Sequence, residues 1–211
     1  MPYVLPFVIF IALTAPEAYF PDIGILLYPA KTLIVGWLLW RWRKVYAPDF
    51  SIKLTSAGYL ISILGGLLAL FVWISLEAKL PQFGNSAGFN PYAFEYMQAA
   101  IPMVVALRLI GAALVVPFME ELFWRSFLLR YLINPDFKKV ALGEFAWFSF
   151  VAVIVMFALE HHRFIQAIFA GIIYTTLVIQ QKSLRGSVIA HATTNLGLGL
   201  YVIFHQKWIF W

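Results

Sequence analysis

Cysteine does not occur among the 211 residues. That absence removes disulfides, thiolate metal sites and a cysteine nucleophile, and leaves the redox compartment open. Charge is nearly as scarce. Asp, Glu, Lys and Arg make up 12% of the chain against 63% hydrophobic residues, whereas soluble domains carry roughly 25% charged and 45–50% apolar residues. The composition is that of an integral membrane protein. The formal net charge of +5 does not point to nucleic acid, because the basic residues lie in short clusters between apolar runs, as loops facing an anionic bilayer surface do.

A helix rises about 1.5 Å per residue and the hydrocarbon layer is about 30 Å thick, so each crossing needs roughly 20 mainly apolar residues. Seven segments approach that length: 3 to 20, 22 to 40, 56 to 77, 97 to 133, 145 to 161, 164 to 181 and 187 to 204. The first lacks the basic n-region and the cleavage site of a signal peptide and is expected to be a retained helix. The fourth is too long for one simple crossing. Pro102 and Pro117 are expected to bend or interrupt it, which would make eight helices. The expected fold is an all-α polytopic transmembrane bundle of seven or eight helices. No long linker or internal repeat divides it, so residues 1–211 are read as a single membrane domain, with N-terminal helices at about 3–77 and a motif-bearing core at about 97–204.

With the N-terminus in the cytoplasm, the cytoplasmic connections hold Arg41, Arg43, Lys44, Lys53, Arg130, Lys138, Lys139, Lys182 and Arg185; the opposite side holds Lys79, Arg163 and Lys207. Nine against three favours that orientation. The connection 80–96, rich in Gly, Pro, Asn and aromatics, is expected to be an ordered or interfacial loop on the outer side.

An ionisable side chain near the bilayer centre costs at least about 2.5–3.5 kcal/mol on insertion scales and normally has a partner or a task. Within "VVPFMEELFWRSFLL", residues 115–129, Glu121 and Arg125 stand four apart with the acid first, the favourable arrangement for an intrahelical ion pair. Glu120 is left over, turned about 100° away. A structural charge cluster is the plain alternative. In "FALEHHRF", residues 157–164, His161 and His162 adjoin Glu160 and Arg163 at the end of a span, where a polar helix end is the plain reading. In "VIAHATTNLGLG", residues 188–199, His191 and Asn195 share one helix face at i and i+4, and lipid supplies neither with a partner. A carboxylate and an imidazole together activate water, and a second imidazole with a carboxamide can donate to an oxyanion. That is the equipment of a hydrolase, although the same stripes would also suit a transport path. Arg108 and Lys31 are the remaining charges within spans. Arg108 is read first as a partner for Glu95 or Glu17, or as a headgroup-reaching side chain, and second as a substrate contact. Lys31 is expected to reach an interface or a phosphate.

The ordered set of E-E-x-x-x-R at Glu120, Glu121 and Arg125, F-x-x-x-H at Phe157 and His161, and H-x-x-x-N at His191 and Asn195 resembles the signature of the CAAX protease and bacteriocin-processing (Abi) family of intramembrane glutamic endopeptidases. The resemblance covers about residues 100–204. The N-terminal part, with "YVLPFVIFIALTAPEAYFP" and "WLLWRWRKVYAPDF", resembles bacterial CAAX-protease-related proteins associated with exosortase sorting systems, which implies a bacterial inner membrane.

The resemblance implies that Glu120 is the general base, that His161 helps hold and polarise the water, a place His162 could take by a small rotation of the helix end, and that His191 and Asn195 stabilise the oxyanion. Glu121 and Arg125 would be architectural and Phe157 would pack beside the site. No metal or other cofactor is implied: Asn is a poor zinc ligand and a glutamic mechanism needs none. The implied partners are membrane lipid and a lipidated or hydrophobic C-terminal peptide, with no nucleic acid and with the oligomeric state open. A catalytically silent scaffold or immunity protein of the same fold is the runner-up, and a proton-coupled transporter the third reading. Counted at about 1.5 Å per residue from the cytoplasmic ends, Glu120 lies about 20 Å deep, His161 about 24 Å, His191 about 8 Å and Asn195 about 14 Å. One site therefore requires a tilt, a bend, or a loop entering a polar chamber within the bilayer.

Overall fold

The computed structural model describes the backbone of all residues except 19–20, 78 and 85–87; the side chains of 17–18, 21–24 and 95–97 also lie outside the description. The described residues form helices and no strand. In chain order the helices are α1 (Leu5–Thr14), α2 (Pro21–Arg41), α3 (Ser56–Ser75), α4 (Gln98–Tyr131), α5 (Trp147–Leu159), α6 (Phe164–Gln181) and α7 (Leu184–His205), with short helical turns at Arg43–Tyr46 and Ala47–Phe50. The helices α3, α4, α6 and α7 are each long and apolar enough to cross a membrane. Leu60, Leu64, Leu68 and Phe71 of α3 are exposed, an apolar face that water would not tolerate and lipid accepts. The chain is an integral membrane protein with an all-helical bundle.

The first expected span, 3 to 20, yields in α1 a helix of 10 residues, and α5 also falls short of its expected length. α5 has 13 residues where a span over 145–161 was expected, so at about 1.5 Å per residue it is only about 20 Å long. α4 runs for 34 residues without a break, although Pro117 stands inside it. Proline has no N–H and crowds the carbonyl four residues back; α4 accommodates it by widening into a π-helical turn over Gly111–Val115. A second such turn follows at Leu122–Leu128. Single π turns inside α-helices often accompany functional sites, and these two flank Glu120 and Glu121.

α7 is the central helix, packed against α3, α4 and α6. It begins sharply. Lys182 ends α6 in the left-handed conformation with φ 53°, and Ser183 caps α7 by accepting the Arg185 N–H at 3.3 Å. α3 approaches α7 so closely at Gly66 that a Cβ there would stand 2.3 Å from the Ala190 carbonyl oxygen and 2.8 Å from Thr193 Cβ. Gly66→Leu is therefore expected to pry α3 from α7 and to cost at least about 1–3 kcal/mol, the range for overpacking, read as a lowered unfolding midpoint in detergent. An unchanged midpoint would contradict the close contact.

Loop contacts sort the two ends of the bundle. Near one end Arg130 pairs with Asp49 at 3.1 Å, Ser126 Oγ donates to Asp49 at 2.7 Å, Arg185 Nε donates to the Phe50 carbonyl at 2.7 Å and Ser183 Oγ donates to the Ile52 carbonyl at 3.1 Å. The N-terminus lies there too, since Tyr46 OH donates to the Pro2 carbonyl. At the other end Arg163 forms an ion pair with Glu77 and donates to the Ile209 carbonyl at 3.0 Å, while Phe83 and His162 exchange hydrogen bonds of 2.8 Å.

Candidate active site

Glu120 and Glu121 are neighbours on α4 with separate surroundings. Glu121 points into the packed interior and is fully buried. Its Oε1 accepts from Arg125 Nη1 at 3.0 Å, the ion pair expected from their spacing, and also from His191 Nδ1 at 3.0 Å. The Arg125 guanidinium, likewise fully buried, sits 4.3 Å from the centroid of Phe157 and reaches Thr175 Oγ1 at 3.4 Å. Glu121 is thus more than a structural partner for Arg125: it holds the ring of His191. On the other side that ring stacks on Tyr174, with centroids 4.8 Å apart. The Tyr174 hydroxyl donates to Thr194 Oγ1 at 2.8 Å, and Thr194 donates to the Gly66 carbonyl at 2.8 Å.

Glu120, turned away from this network, lines a cavity of about 200 Å³. At about 30 Å³ per molecule that space suits several waters. The same cavity is lined by Phe157, His161, His191 and Asn195. The sequence-predicted groups that come from three separated stretches of the chain are brought together. α5 ends at Leu159, and the turn after it carries His161 to the cavity, while the neighbouring His162 and Arg163 bond to Phe83 and Ile209. Irregular backbone at membrane depth is tolerated where it lines such a cavity.

The histidine tautomers follow from their partners. His161 Nδ1 lies 2.8 Å from the Phe157 carbonyl oxygen, which only accepts, so Nδ1 carries the hydrogen and Nε2 keeps a lone pair. His191 Nδ1 faces a carboxylate, with the same consequence. His162 is exposed and donates through Nδ1 to the Phe83 carbonyl, away from the first cavity. Of the adjacent pair it is His161 that lines the cavity with Glu120.

Asn195 has a task that sequence spacing did not disclose. In the first π turn the Val116 N–H bonds to Gly111, and Pro117 has no N–H, so neither supplies a donor to the Ala112 carbonyl. Asn195 Nδ2 does, at 2.9 Å. The amide retains a second hydrogen. Tyr174, Thr194, Trp73 and Arg108 also belong to the cavity wall; the sequence signal for Thr194 was its place three residues after His191, on the same helix face. Arg108 lies 4.3 Å from the ring centroid of Tyr28, 4.5 Å from that of Phe89 and 5.4 Å from that of Trp211. Its suggested partners Glu95 and Glu17 fall outside the described side chains. Lys31 is buried, donating to Thr14 Oγ1 at 2.8 Å with the Phe10 and Tyr28 rings beside it, so it does not reach an interface. Among the described residues no three His, Asp or Glu side chains gather as a metal site.

Residues 102–197 match the family model described as type II CAAX prenyl endopeptidase Rce1-like. The match covers 96 of the 211 residues, and over this segment the chain is similar to that family. The match contains Glu120, Glu121, Arg125, Phe157, His161, His191 and Asn195, and the kind of function it carries is CAAX-type intramembrane proteolysis. No curated protein and no solved structure matches the chain.

Proposed function

We propose that this Rce1-like chain is a glutamic intramembrane endopeptidase that hydrolyses a peptide bond near the membrane surface in a lipidated or hydrophobic-tailed protein. The supporting observation is that Glu120, His161, His191 and Asn195 line one cavity inside the bundle. Glu120 takes a proton from water, with the Nε2 lone pair of His161 accepting the other water hydrogen and orienting the nucleophile. The hydroxide oxygen bonds to the scissile carbonyl carbon and the carbonyl electrons move to oxygen. The free hydrogen of Asn195 is available to this oxyanion. Collapse breaks the C–N bond, and the proton held by Glu120 passes to the leaving amine.

The assignment of His191 to the oxyanion acquires a condition. With Nδ1–H given to Glu121, a neutral His191 offers only an acceptor at Nε2, and it donates to an oxyanion only as the imidazolium. The adjacent Glu121 carboxylate fixes the ring, in the manner of the carboxylate that orients the histidine of a hydrolytic triad.

The test is cleavage of peptides bearing a prenyl group, an acyl group or a plain apolar tail by the purified protein in bilayers, followed by mass spectrometry. His161→Ala is expected to lower the rate by about 10²-fold or more, the scale of a lost acid–base partner. His162→Ala is expected to leave it nearly unchanged. Equal effects of the two substitutions would remove His161 from the mechanism, and absence of cleavage across the panel would refute the proposed substrates.

A further inference from the structure

The two ends of the bundle differ in charge, and the cavity extends toward only one of them. Arg41, Arg43, Lys44, Lys53, Arg130, Lys138, Lys139, Lys182 and Arg185 fall in or beside the connections 41–55, 130–146 and 182–185. The contacts of Asp49 with Arg130, Phe50 with Arg185, Ile52 with Ser183 and Gly143 with Lys182 tie these connections together at a single end. The connections of the opposite end, joined through Glu77–Arg163, Phe83–His162 and Ile209–Arg163, hold Lys79, Arg163 and Lys207. An imbalance of nine to three in short loops holds the basic end in the cytoplasm.

The cavity that begins at Glu120 and His191 continues past Asn195 and Leu198 to Trp211. A second cavity of about 210 Å³ shares His161, Leu198 and Trp211 with it and continues to the exposed His162. Every residue of this path beyond the reacting groups belongs to the end poor in Lys and Arg. No residue of the basic connections lines either cavity.

We propose that the cavity is entered from the extracytoplasmic face of the membrane. On the peptidase reading above, the substrates are then apolar or lipid-bearing segments of proteins that have already crossed the bilayer or that present a terminus on its outer side. The aromatic wall formed by Trp73, Phe210 and Trp211 suits an apolar chain; Arg108 lines the first cavity among aromatic rings, and Arg163, which lines the second, is paired with Glu77.

The chain contains no cysteine, so single cysteines introduced into it report their location without background. Ile52→Cys probes the basic end, Tyr92→Cys the other end, and Leu198→Cys the shared cavity wall. Ile52 and Tyr92 are 49% and 60% exposed. A small, charged, membrane-impermeant thiol reagent is added to right-side-out spheroplasts, and separately to inverted vesicles. Tyr92→Cys and Leu198→Cys are expected to react in spheroplasts and Ile52→Cys only in inverted vesicles. The proposal is overturned when Leu198→Cys reacts from the side of Ile52→Cys, fails to react from either side, or when Tyr92→Cys reacts only in inverted vesicles. Labelling needs no catalysis, so a protein that cuts none of the tested peptides still gives this answer, and an active protein can still refute it.

Discussion

Glu120→Gln is expected to lower peptide cleavage by about 10²–10⁴-fold, the contribution of a positioned general base, with little change in the unfolding midpoint. The amide keeps the size of the carboxylate but cannot take a proton from water. The second half of the expectation rests on where the side chain sits. Glu120 lies outside the network of Glu121, Arg125 and His191, and no protein group hydrogen-bonds its Oε2 among the described residues. The substitution therefore strands no buried partner. Initial rates from product mass spectrometry, set beside thermal unfolding of the same preparation, provide the check. Undiminished cleavage would reject Glu120 as the base, and a collapse of stability would place it in the architecture instead.

Arg125→Leu is expected to act in the opposite order, on stability first and through it on activity. It removes a fully buried guanidinium and leaves Glu121, itself fully buried, without its cation. Breaking one half of a buried pair costs about 3–5 kcal/mol, whereas replacing both halves by neutral groups of similar volume is often tolerated. The double substitution Arg125→Leu with Glu121→Gln should therefore recover much of the lost stability. It should not recover cleavage, because His191 has then lost the carboxylate that fixes its ring. Unfolding midpoints of the single and double variants, with cleavage rates for each, separate the two duties of Glu121. A double variant as unstable as Arg125→Leu alone would show that the cost arises from packing against Phe157 and Tyr174 rather than from an uncompensated charge.

The division of labour between the adjacent glutamates was legible in the sequence. The four-residue spacing of Glu121 and Arg125 selects one carboxylate for pairing, and the 100° offset of consecutive helical residues turns the other elsewhere. The pairing of His191 with Glu121 was not legible, since it joins helices 70 residues apart and nothing local encodes that approach. The sequence leaves the course of α4 open, between one helix and two, for a definite reason. A proline inside a long apolar run signals a lost hydrogen bond, yet the pattern does not tell whether the helix stops, kinks or widens by a residue, and here it widens. The choice between His161 and His162 was likewise beyond the pattern, because it depends on a loop contact with Phe83, 79 residues away. Tyr174 passed as one more aromatic of an apolar helix; only its stacking on His191 and its hydrogen bond to Thr194 mark it out.

The bond from Asn195 to the Ala112 carbonyl makes the aim of the two glutamates a matter of phase. A π turn holds one more residue than the α turn it replaces, so everything downstream of Gly111–Val115 is rotated about the axis of α4 relative to everything upstream. The wall residues Arg108 and Ala112 and the reacting Glu120 share one cavity because that offset lies between them. A polar side chain on a neighbouring helix thereby acts as a clamp on rotational register, and the direction in which a carboxylate faces is decided two turns before the carboxylate itself.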